Sequence, residues 1–258
     1  MFCLCINTSK VKPCWYDSHV GNRDPIADNE WYHCFNRGVD KRAVFMDEND
    51  CERLLALLYL CNDEDSITRI SNFELAHANL AALLARKTIV RGAPLVEIGA
   101  YALMKNHLHF IIKQLTGGGV ALFMQKVFTG YTMYFNTKYE RTGALFAGSY
   151  KSKHIGKDEY FKQAIQYVLL NPAELFESGW KKGIGNRTLL EKELRRYKYS
   201  SLPDFIGVSR PESCIVGDIR STYFDSVPSL SRMLEEAQEY YKENAKFLSA
   251  TTAGTSKV

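Results

Sequence analysis

The order of segments along the chain predicts an α+β fold, a ferredoxin-like split βαβ core with an antiparallel sheet and one further helix behind it. Three observations carry that expectation. Residues 30–37, EWYHCFNR, form an aromatic run suited to a strand and closed by Gly38. Leu54, Leu55, Leu57, Leu58 and Leu60 then recur at helical spacing behind Asp47, a capping residue, in a helix that ends near Cys61. Residues 95–103 and 107–115 are two apolar runs separated only by Met104, Lys105 and Asn106, which reads as a hairpin.

The remaining elements follow in chain order. An Ala- and Leu-rich stretch at 72–86 reads as an additional helix, punctuated by Gly92, Ala93 and Pro94. Gly117, Gly118 and Gly119 form a flexible lead-in to a helix over 120–139 that carries Leu122, Phe123, Phe128, Tyr131, Tyr134 and Phe135. Residues 145–155 read as the last strand. Lys157 and Asp158 open a helix that runs to Leu170, and Pro172 disrupts its continuation. An amphipathic helix is expected over 229–244, followed by a Ser/Thr/Gly-rich end expected to be disordered. The expected organisation is a leader over 1–27, one domain over 28–205 and a C-terminal extension over 206–258.

Composition narrows the class. The chain has 258 residues, of which 46% are hydrophobic and 24% charged, an ordinary globular balance. No run of eighteen apolar residues occurs, so no membrane span and no membrane partner are expected. The start lacks a basic segment followed by an apolar one, so a secretory signal is not expected either. Seven cysteines, an odd number without a CxxC pair, argue for reduced thiols and a cytoplasmic protein. The net charge is +4, and its positive excess is local: residues 138–198 hold 13 basic and 7 acidic side chains, leaving 20 and 22 elsewhere. Such a stretch is either a solvated basic face or a surface for a polyanion.

Two groups of residues carry candidate chemistry. His107 and His109 stand at i and i+2 of a strand, so both imidazoles share one sheet face while Leu108 points to the other. Paired imidazoles suit a divalent cation, though half-exposed histidines without a ligand role give the same pattern. In YFKQAIQYVLLNP at 160–172, Gln163, Tyr167 and Asn171 are spaced i, i+4, i+8 and share one helix face. Ala164, Ile165, Val168 and Leu169 occupy the buried sides. A phenol between two carboxamides on a packed helix suits a site, and carboxamides are acceptable ligands for a hard cation.

Together these residues carry a resemblance. His-Leu-His after MKN, followed about sixty residues later by YVLLNP, resembles the single-tyrosine transposases of the HUH superfamily, most of all the branch that includes the REP-associated tyrosine transposases. WYHCFNRG at 31–38 and GALFAGSYKSKHI at 143–155 are similar to further segments of that family, in the same order. Lys105 stands where a proline often precedes the histidine pair, and Ala147 and Ser149 where larger polar or basic residues are usual.

The resemblance implies a metal-dependent enzyme that cleaves and transfers single-stranded DNA through a 5′-phosphotyrosine. Tyr167 matches the nucleophile. His107, His109 and Asn171 match the ligands of Mg2+ or Mn2+. The implied partner is single-stranded DNA that contains a hairpin, bound in the bacterial cytoplasm and nucleoid by a monomer or a homodimer. Arg141, Lys151, Lys153, Lys157, Lys162, Arg195 and Arg196 are candidates for phosphate contacts, and Tyr150 and Tyr197 for base stacking. Two other readings fit the same residues: a non-cleaving single-stranded DNA or RNA-binding module, and a hydrolase that uses the histidine pair without Tyr167.

Overall fold

The computed structural model describes residues 25–65, 80–85 and 91–244. Almost all of the expected leader, most of the helix expected over 72–86 and the expected disordered end lie outside the described residues. Strand β1 (Trp31–Arg37) is followed by helix α1 (Glu48–Leu60), the short helix α2 (Leu80–Leu84), and the hairpin β2 (Val96–Met104) and β3 (His107–Gln114). Then come α3 (Gly119–Lys138), strand β4 (Lys151–Ile155) and helix α4 (Asp158–Leu170). The remaining helices are α5 (Ala173–Phe176), α6 (Arg187–Arg196), α7 (Leu202–Phe205), α8 (Ile219–Tyr223) and α9 (Leu230–Glu243). The sheet order is β2-β3-β1-β4 with every pair antiparallel, as a split βαβ core requires.

The sheet separates two cores, and strand alternation decides which side chain enters which. Tyr32, Cys34, Leu108, Phe110 and Ile112 face α1 and α3, where Leu54, Leu58, Phe123, Val127 and Tyr131 complete one core. Trp31, Ala100, Ala102, Ile111 and Ile155 face the other way, onto α4. There Phe161, Ala164, Ile165, Val168 and Leu169 meet residues from α6, α8 and α9. The C-terminal helix therefore belongs to the core beneath the site.

Local chemistry sets the element ends. The Asp47 side chain accepts from the backbone N–H of Asp50 while the Asp50 side chain accepts in return, a reciprocal cap on α1. Ser229 caps α9 by accepting from the backbone N–H of Arg232. The glycines before α3 are a defined turn rather than a flexible lead-in: Gly118 sits at φ 75°, and a Cβ on Gly119 would lie 2.4 Å from the Leu95 carbonyl oxygen. The strand expected over 145–155 is shorter, because Gly148 at φ 81° breaks the extended backbone and only Lys151–Ile155 pair with β1. The free edge of β2 is covered by residues 199–201, with Leu103 N–H donating to Tyr199 O (2.9 Å) and Ser201 N–H to Tyr101 O (2.9 Å). No helix among the described residues is long and apolar enough to cross a membrane.

Candidate active site

The antiparallel register assembles the site on the α4 side of the sheet. His107 pairs across β3 and β1 with Arg37, His109 with Phe35, and Ile111 with His33. On the next strand Phe35 pairs with Lys151 and His33 with Lys153. Because i and i+2 share a face, one surface carries three imidazoles with Arg37, Lys151 and Lys153 around them. Register thus places Lys151 and Lys153 on the same sheet face as the histidines, and Arg37 is a further basic neighbour there that its sequence context does not mark.

Three histidines rather than two form the centre. His33 Nε2 and His109 Nδ1 lie 2.9 Å apart in one hydrogen bond, with the two rings nearly parallel at 5.1 Å between centroids. His107 Nδ1 lies 2.7 Å from Asn106 Oδ1, and its ring stands edge-on to His109 at 5.0 Å. His33 is 1% exposed and His109 7%. Burial therefore pushes the His33 pKa down to about 3, and burial with the neighbouring imidazoles pushes His109 well below the ordinary value. Burial, then Arg37 and Lys181, lower His107 to about 4. All three rings are neutral near pH 7, the form that offers a ring nitrogen lone pair.

Helix α4 brings Tyr167 onto this cluster. Its ring packs edge-on against His33 at 5.7 Å and against His109 at 5.6 Å. One turn further on, Asn171 Nδ2 donates to the Tyr167 carbonyl oxygen (3.2 Å), which closes the helix end before Pro172 and leaves Oδ1 as the acceptor of that side chain. Lys181 joins from the loop after α5, with Nζ 6.0 Å from the centre of the Tyr167 ring and 5.0 Å from that of Tyr241. Burial lowers the Lys181 pKa.

The other candidates divide. Lys157 and Lys162 lie at the N-terminal end of α4, near the rings of Tyr160 and Phe224 respectively. Arg141 is tied to the end of α3, its Nη1 donating to Asn136 Oδ1 (3.0 Å). Arg195 and Arg196 are exposed on α6, which enters the second core through Leu190 and Leu194. Tyr150 is not a stacking residue: at 6% exposure its ring belongs to the core between the sheet and α3, because the turn at Gly148 directs it inward. Tyr197 is half-buried, and its hydroxyl donates to the Leu103 carbonyl (2.6 Å), so its ring supports β2 rather than standing free for a base.

Among the described residues no group of three or more His, Cys, Asp or Glu side chains is arranged to hold a metal ion. His33 and His109 point nitrogens at each other, so the cluster offers a pair of imidazoles, not three.

No family model matches the sequence, and no curated protein matches it. Among solved structures the chain is similar to a REP-associated tyrosine transposase bound to a REP hairpin, with a TM-score of 0.45 and 12% sequence identity over 82% of this chain and 100% of that one.

Proposed function

We propose that the protein is a DNA strand transferase of the single-tyrosine HUH type, which cleaves single-stranded DNA with Tyr167 and rejoins it without an external energy source. The observation that carries this reading is the packing of the Tyr167 ring directly on His33 and His109 with His107 beside them. A phenol alone is a poor nucleophile, with an ordinary pKa near ~10, and needs positive charge nearby. Lys181 supplies such charge at the phenol ring, while Arg37, Lys151 and Lys153 line the sheet face around it.

In the proposed reaction the Tyr167 oxygen attacks phosphorus in line and its proton leaves to water. The bond to the 3′ oxygen breaks, and that oxygen takes up a proton. The products are a 5′-phosphotyrosine and a free 3′-hydroxyl. Attack by another 3′-hydroxyl reverses the step and releases Tyr167.

The donor set fits a hard divalent cation, Mg2+ or Mn2+. The Nδ1 atoms of His107 and His109 are engaged by Asn106 and His33, so their Nε2 atoms would be the ligating ones, and Asn171, whose Nδ2 is taken by the Tyr167 carbonyl, would offer Oδ1 as a third donor. When bound, such a cation supplies Lewis-acid stabilisation of charge on the phosphate. His33 is a positioning residue in this scheme: with its Nε2 as the acceptor, it would hold His109 with Nδ1 protonated and Nε2 free.

A non-cleaving binding module of the same fold is the second reading, because the basic side chains Arg37, Lys151 and Lys153 on the sheet face would serve strand binding alone as well as strand transfer. Trapping of labelled single-stranded DNA on the protein in a denaturing gel separates the two: the transferase gives a covalent adduct and the module gives none.

A further inference from the structure

Helix α9 does more than fill the second core. Its apolar stripe, Leu230, Met233, Leu234 and Tyr241, is buried there, but the position in line with that stripe at 237 is alanine. The helix is held to its neighbours by polar ties on either side of Ala237. Gln166 Nε2 donates to Glu236 Oε2 (3.0 Å), and Arg187 Nη1 to Glu235 Oε1 (2.5 Å). Between α4 and α9 a cavity of about 290 Å3 remains, bordered by Tyr167, Trp180, Lys181, Ala237, Tyr240 and Tyr241. A larger apolar residue at 237 would fill that space and gain the packing that a void forfeits.

We propose that this cavity is a base pocket, which takes up one unpaired nucleobase of the DNA strand whose adjoining phosphate lies at Tyr167. The inference rests on the reading of the site as one for single-stranded DNA. Its volume lies at the lower limit of the ~300–1,000 Å3 typical of small-molecule sites, which is room for one heterocycle and not for a strand. Its walls are the kind a base takes: the aromatic residues Tyr240 and Tyr241 line it, together with Gln163 and Gln166. Lys181 borders the cavity together with Tyr167, its Nζ 6.0 Å from the centre of the Tyr167 ring and 5.0 Å from that of Tyr241, so its charge is at hand for the phosphate next to a pocketed base.

The test is binding of fluorescently labelled oligo-dA, oligo-dC and oligo-dT of about twelve nucleotides, within the ~4–16 nucleotides that single-strand sites cover. All variants carry Tyr167→Phe, so no covalent step enters. Ala237→Leu fills the cavity and Tyr240→Ala removes a stacking ring. Each is expected to weaken the tightest-bound strand roughly 5- to 150-fold, the equivalent of ~1–3 kcal/mol per stacked base, with the salt dependence unchanged. Lys181→Met is expected to weaken binding and also make the log–log salt slope shallower by about 0.7. Should Ala237→Leu fail to fold in a thermal melt, Tyr240→Ala at its half-exposed position decides the matter alone. Parent-like affinity of the folded variants for all three strands overturns the pocket, even if Tyr167 forms adducts. Loss of binding in these variants, in a protein whose Tyr167 forms no adduct, keeps the pocket and overturns strand transfer.

Discussion

Tyr167 is distinguished from Tyr160, two turns earlier on the same helix, by its surroundings: two imidazoles against its ring and the half-buried ammonium of Lys181 near it. Removal of either proposed ligand in His107→Ala or His109→Ala is expected to abolish cleavage in Mn2+, and EDTA to do the same to the parent protein. His33 gives a sharper test, because it hydrogen-bonds to His109 and is not itself a proposed ligand. His33→Phe, which cannot accept the His109 Nδ1–H, is expected to weaken Mn2+ binding about 10- to 100-fold by electron paramagnetic resonance. His33→Gln, whose carbonyl can accept it, should recover much of that affinity; equal Mn2+ binding by both variants would remove the positioning role. Little of this was legible beforehand. His107 and His109 stood out because two histidines at i and i+2 are rare, whereas His33 sat among aromatic residues in WYHCFNR with nothing to mark it. Its role depends on strand register, which brings residues 33 and 109 together across 76 positions.

At the scale of elements, the legible parts were those with strong local signals. Asp47 announced α1, the amphipathic pattern over 229–244 announced α9, and the short connection at 104–106 announced the hairpin. Helix α6 was not recognised because Arg187, Lys192, Arg195 and Arg196 made it read as a charged surface, although Asn186 caps it and only Leu190 and Leu194 are buried. The aromatic residues of the basic stretch illustrate the same limit, since burial is a tertiary property. Tyr150→Ala should therefore lower stability by about 3–5 kcal/mol, as loss of a core aromatic does, when followed by urea denaturation. A selective defect in DNA binding with unchanged stability would contradict its place in the core. The strap after α7 offers a second check on packing. Arg210 is 10% exposed, and it reaches Asp204 through both Nε (3.0 Å) and Nη2 (2.6 Å) and the Lys198 carbonyl through Nη1 (2.6 Å). Asp204→Ala removes the closer of the two carboxylates beside that guanidinium, leaving Glu212 at 3.9 Å, and is expected to cost about 2–3 kcal/mol. A change below about 1 kcal/mol by denaturation would show that the strap does not hold the fold.

Taken as a whole molecule, the protein places its chemistry on one side of the sheet and its larger apolar core on the other, and this division has consequences for pH and salt. The three neutral histidines bind protons more readily in the unfolded chain, where their pKa returns to about 6.5, than in the fold, where His33 and His107 lie near 3 and 4. Their contribution to stability is thus present above pH 6.5 and is lost as pH falls from there toward 4. Thermal melts between pH 7.5 and 4.5 should show this decline, and His33→Phe should flatten it; parallel curves for the two proteins would refute the assignment. The positive excess of 138–198 was visible from counting alone, but which charges face the site was not. Reversing Lys151 and Lys153, which neighbour Phe35 and His33, should weaken all single strands alike and make the salt slope shallower by roughly 0.7 for each phosphate that is no longer neutralised. An unchanged slope would mark them as charges that merely protect an edge strand.

The central claim is that Tyr167 bonds to DNA, and one gel addresses it. Single-stranded DNA from the flanks of the protein's own gene, hairpin included and labelled at its 3′ end, is incubated with the protein and Mn2+ and then denatured in SDS. The expected result is a labelled band at the mass of protein plus the downstream fragment for the parent protein. Tyr167→Phe, which loses one oxygen and almost no volume, should still bind the DNA and give no such band. A labelled adduct that survives in Tyr167→Phe, or a parent protein that binds the strand and never becomes attached to it, would contradict the account.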